Sequence, residues 1–74
     1  MKIKKEMAIM SHLSDVQHEI QYEGMEERAR MRVNFVKMLL CDGNNNDYEY
    51  TTKELDDIWV ECNDLYGKSE ETNQ

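Results

Sequence analysis

The stretch "DGNNNDYEYTTKEL", residues 42–55, gathers Asp42, Asn44, Asn45, Asn46, Asp47, Thr51 and Glu54, an oxygen-rich set of the kind that coordinates a hard cation such as calcium. Cys41, Cys62, His12 and His18 supply enough soft donors in number for zinc. Structural zinc sites are built from local pairs, however, and neither Cys-x-x-Cys nor His-x-x-x-His occurs, so the two cysteines read as free thiols behaving like small buried hydrophobes. Histidine is also the commonest general base. His12 and His18 are six apart and face different ways on a helix, with no activated Ser or Cys pattern beside either, which predicts two exposed surface histidines. "HEIQYE" lacks the second histidine of a metalloprotease helix, and no glycine-rich phosphate loop is present. The sequence thus predicts no catalytic residue, no cofactor and no metal ligand, and an enzyme is not expected.

Counted from Gly43, the oxygen-rich stretch resembles an EF-hand calcium loop. Asn45, Asp47, Thr51 and Glu54 then fall at its third, fifth, ninth and twelfth positions, with Tyr50 at the apolar eighth. The resemblance covers about a dozen residues and implies a degenerate metal-binding module. It departs from the pattern where the first ligand should be Asp, which is Gly43, and where the turn glycine should be, which is Tyr48. Counting from Asp42 instead puts Asp47 at the sixth position and Lys53 at the twelfth, and an ammonium cannot ligate a cation. A connector accounts for the same residues: the asparagines make Asx-turns, and Thr51 with Glu54 forms a capping box. The sequence predicts a connector, with the degenerate EF-hand-like module as the alternative.

The elements that must hold these residues are helical. There is no proline, and the only glycines are Gly24, Gly43 and Gly67, which mark the breaks. Leu13, Val16 and Ile20 make one apolar stripe and Met25, Ala29, Val33, Val36 and Leu40 another, both in steps of three and four. The stripe rotates near Gly24, which fits either two helices or one bent helix. Ser14 with Gln17 matches a capping box, with Ser11 as an alternative cap. The third helix is the most regular, placing Leu55, Ile58, Trp59, Cys62, Leu65 and Tyr66 on one face behind the Thr51–Glu54 box and a Tyr50–Leu55 staple. Helices are predicted near Ser11–Tyr22, Met25–Cys41 and Thr52–Tyr66, in an all-α bundle centred on Trp59. Residues 1–10 read as an N-terminal extension, 11–67 as one domain and 68–74 as a disordered polar tail.

At 74 residues and a net charge of −7, the chain has one small core and hides only about 60% of its unfolded surface, so a partner or a second copy would help it. The charge disfavours nucleic acid and anionic membranes. The opening "MKIKKEMAIM" is too short and too charged for a signal-peptide core, no run approaches the roughly 20 apolar residues of a membrane span, and a cytoplasmic location is expected. In size and composition the chain resembles the accessory proteins of phages and mobile elements, which implies a module that binds and modulates a larger host protein. Met31, Phe35, Met38 and Leu39 stand opposite the second helix's main stripe, so that helix is apolar nearly all round. The resulting candidate interface, an antiparallel homodimer, comprises these four with Glu19, Glu23 and Glu27 set against Arg28 and Arg32 of the other copy. The remaining alternative is a small nucleic-acid regulator using the cluster Arg28, Arg30 and Arg32.

Overall fold

The oxygen-rich loop caps one helix and leads into another. In the computed structural model, which describes the backbone of residues 1–72 and side chains through residue 65, strand β1 (Lys2–Lys4) runs directly into helix α1 (Lys5–Glu19). Among the described residues no side chain caps α1. Its first free amides are taken by the distant loop: the Lys5 N–H donates to the Tyr48 carbonyl at 2.8 Å and the Glu6 N–H to that of Asn46 at 3.2 Å. This corrects the predicted start at Ser11 and the capping role of Ser14, which lies in the helix interior. Lys5, Glu6, Met7 and Ala8 are good helix formers, and once their amides have partners nothing delays the helix. Residues 1–10 are therefore part of the fold and not an extension.

Helix α1 unwinds through successive tight turns at Gln21, Tyr22 and Met25, and the chain reverses at Gly24, whose φ of +91° is the left-handed backbone that glycine tolerates. Helix α2 (Glu26–Leu40) then returns antiparallel to α1, bringing Phe35 beside His12 and Arg32 beside Glu19. The first two helices are separate. Glu26 and Glu27 in the first turn of α2 suit its dipole.

Strand β2 (Glu49–Thr51) pairs antiparallel with β1, setting Ile3 opposite Tyr50 in a ribbon of two short strands. Helix α3 (Thr52–Thr72) follows without a break. Its predicted capping box is present in both halves, the Glu54 N–H donating to Thr51 Oγ1 at 3.1 Å and the Thr51 N–H to Glu54 Oε1 at 2.9 Å. The helix does not stop at Gly67 but continues to Thr72, because a single glycine inside a helix costs only about 1 kcal/mol and Lys68, Glu70 and Glu71 favour helix. The predicted disordered tail is thus helical over residues 68–72, and Asn73 and Gln74 lie outside the described residues.

The fold is all-α, three helices with the ribbon as a minor addition. Its core is Ala8, Phe35, Leu39, Tyr50 and Cys62, with Ile3, Ile9, Met38, Leu55, Ile58 and Trp59 packed around it. Trp59 is only half-buried, whereas Phe35 and Leu39 are 1% and 0% exposed. The predicted centre is corrected accordingly. A tryptophan is large enough to reach from the core to the surface, and here the smaller phenylalanine sits where all three helices converge.

Candidate functional site

At the oxygen-rich loop, the cation is already supplied by the protein. Lys5 is 2% exposed, and its ammonium donates to Asp42 Oδ1 at 2.8 Å and to the Asn44 carbonyl at 2.7 Å. The Tyr50 hydroxyl donates to the other Asp42 oxygen. Asn44 N–H adds a third bond to that carboxylate at 2.8 Å, and Asn45 Oδ1 accepts from Asp47 N–H at 3.0 Å. Partial burial alone would raise the Asp42 carboxyl, but the bonds from Lys5, Tyr50 and Asn44 together outweigh it and hold its pKa at about 2. Tyr50 is pushed up to about 12, first by burial and then by its bond to Asp42. Glu54 is occupied by the α3 cap and by the Tyr48 hydroxyl at 3.1 Å. Among the described residues no three of His, Cys, Asp and Glu are grouped to hold a metal ion. Asp42 is turned toward Lys5, and Asn45, Thr51 and Glu54 of the EF-hand-like set toward backbone amides.

The second cluster lies between α1 and α2. His12, Asp15 and Glu19 share the inward face of α1 and converge on Arg32. The Arg32 Nε donates to both Glu19 oxygens at 2.9 and 3.0 Å, and Nη1 lies 3.3 Å from Asp15 and 3.1 Å from His12 Nδ1. Arginine only donates, so Nδ1 must accept and the imidazole proton sits on Nε2. Burial, then the Arg32 charge, lowers the His12 pKa and keeps the ring neutral. The ring stacks on Trp59 with centroids 5.8 Å apart and leans on Phe35 at 4.6 Å, while the guanidinium stands 6.0 Å from the Trp59 ring centre. A cleft of about 280 Å³ opens beside them, with Arg28 and Asp56 on its rim. Arg32 is held by two carboxylates on α1, so chemically the cluster is a clamp that fixes the α1–α2 angle. His12 corrects the expectation of a surface histidine. The spacing of His12, Asp15 and Glu19, three and four apart, already carried this signal, since it sets three polar groups on one helix face.

The residues of the predicted interface are dispersed. Phe35 and Leu39 are core residues, and Met31 and Met38 are half-buried. Glu19 and Arg32 bind each other within the chain, and Glu27 pairs with Arg30 at 3.5 Å. Only Glu23 and Arg28 remain exposed without such a bond among the described residues. The apolar back of α2 needs no second copy because α1, the ribbon and α3 all pack on it. For the same reason Arg28, Arg30 and Arg32 do not form one basic patch, as Arg32 is turned inward. Cys62 is the buried thiol expected, raised in pKa by burial, but Cys41 is exposed.

Large apolar side chains do reach the surface elsewhere, singly at Leu40, Val60 and Leu65 and as a row on α1. Met7, Met10, Leu13 and Ile20 are each about half or more exposed along the outward side of α1. The positions between them, Ser14 and Gln17, and Gln21 just beyond the helix, are exposed and uncharged. Leu13 and Ile20, which the spacing sets on one inward stripe with Val16, point outward instead, because α1 turns His12, Asp15 and Glu19 toward α2. Among the described residues no helix is long and apolar enough to cross a membrane. No protein-family model, curated protein or solved structure matches the chain.

Proposed function

We propose that the chain is a protein-binding module of the cytoplasm, without catalytic chemistry of its own, that docks on other protein surfaces through the outward face of α1 and modulates what it binds. The observation that carries this reading is the composition of that face. In a chain that is 34% charged, Met7, Met10, Leu13, Ser14, Gln17, Ile20 and Gln21 present no charge and Glu6, near the start of the face, is its single charge; charge is depleted at the centres of protein interfaces. Methionine is also the side chain best able to adapt to a partner's contour. A small apolar core gives the fold a further reason to cover this surface, and the net charge of −7 favours protein over nucleic acid as the cover.

Methionine oxidation tests the reading without knowledge of the partner. In the cells that make the protein, Met7 and Met10 are expected to react with peroxide several-fold more slowly than in dilute purified protein, while Met1, 96% exposed, reacts alike in both. Equal rates for all three methionines in the two settings would remove the docking face.

A further inference from the structure

We infer that the occupant of the α1 face is a second copy of this chain, paired antiparallel about a two-fold axis that crosses α1 between Leu13 and Ser14. This rests on the docking face proposed above and names what covers it. The pairing follows from the charges at the two ends of the stripe. At its start stand Lys2 and Lys4, both exposed on β1; at its end stand Glu23, Glu26 and Glu27, exposed where α1 turns into α2. A parallel arrangement would set like charge on like. The antiparallel one sets Lys4 against Glu23 of the second copy, twice, by symmetry.

The same axis matches the apolar positions. Met7 faces Ile20 of the second copy, Met10 faces Gln17, and the two Leu13 side chains meet across the axis beside Ser14. Glu6, the single charge on the stripe, falls opposite the neutral Gln21. Two chains carrying −7 each can therefore meet here without placing a charge at the centre of the contact. This register needs nothing from Phe35, Leu39 or Arg32, which the fold uses internally. A contact along one helix of 15 residues is smaller than the roughly 1,200 Å² at which specific interfaces become stable, so the association is reversible and depends on concentration.

Sedimentation equilibrium from low micromolar to near-millimolar protein is expected to show the mass rising from that of one chain toward that of two. Met10→Glu, at a position 63% exposed where the fold has nothing to lose, is expected to hold the chain monomeric with unchanged helical circular dichroism. Glu23→Lys and Lys4→Glu, each in a separate chain, should weaken association several-fold. The second is made together with Glu49→Gln, because Lys4 and Glu49 face each other across the ribbon. Mixing the two reversed chains should restore association, since each then meets its opposite. A monomer mass at every concentration overturns the dimer, as does a Met10→Glu chain that associates like the parent; a mixture no tighter than either reversed chain overturns the antiparallel register. If the chain stays monomeric while Met7 and Met10 are still protected in cells, the dimer falls and the docking face stands with another protein on it. If protection is absent too, both fall.

Discussion

Asp42 holds three structural bonds at once, and that decides how it should behave in acid. Its carboxylate accepts from Lys5, Tyr50 and the Asn44 amide, and its pKa is held at about 2 against an ordinary 3.8. A carboxyl whose folded-state pKa is depressed adds stability that is fully present above the ordinary value and is lost as pH falls toward the folded one. The contribution of Asp42 should thus fade between about pH 4 and pH 2. Asp42→Asn leaves the buried Lys5 ammonium without its counter-charge. The cost at neutral pH is expected to be about 2 to 3 kcal/mol, below the 3 to 5 typical of a fully buried pair because Asp42 is partly solvated. Urea unfolding of parent and variant at neutral pH and near pH 2.5 checks this, and the gap between them should narrow in acid. Nothing in the sequence near Asp42 announces Lys5, which is 37 residues away; the residue type was legible and its partner was not.

At the scale of elements, the difference between the two apparent capping boxes shows what local sequence can and cannot specify. Thr51 and Glu54 bond each other's backbone across a single turn, a contact set wholly by residues three apart, and α3 begins where it was predicted. Ser14 and Gln17 carry the same signature but lie in the middle of α1, because carbonyls of Asn46 and Tyr48 already satisfy the amides of an earlier start. A cap supplied from across the fold has no local trace. Thr51→Ala is therefore expected to destabilise the protein by about 1 kcal/mol. Ser14→Ala should be neutral or stabilising by a few tenths of a kcal/mol, since an exposed interior helix position prefers alanine. Chemical denaturation of the two variants separates them, and equal losses would show that Ser14 does act as a cap. The turn at Gly24 was legible for a related reason: a rotating stripe and a glycine coincide there, and the left-handed backbone confirms a reversal in place of a bend.

For the whole molecule, periodicity identified three helices and the core side of α3, but not the inward faces of α1 and α2, nor which residue the three have in common. Leu55, Ile58, Trp59 and Cys62 do line the core side of α3, yet depth within a bundle depends on how the helices cross, which no single stripe encodes. The sequence places Phe35 opposite the main stripe of α2, a side that lies bare only if the first two helices run on as one rod. With α1 folded back and the ribbon closing the end, neither side is free. A chain of this size has a total stability on the order of 4 to 11 kcal/mol. Truncating a fully buried aromatic typically costs about 3 to 5 kcal/mol, so Phe35→Ala is expected to leave the protein at or near the unfolding threshold at 37 °C. Trp59→Ala should cost less, despite the larger side chain removed, because part of the indole is already in water and the cleft beside it can take up solvent. Thermal melts followed by circular dichroism rank the two. If Trp59→Ala were the more damaging, the convergence point of the helices would lie at α3, and α1 would contribute less to the core than its contacts with Phe35 require.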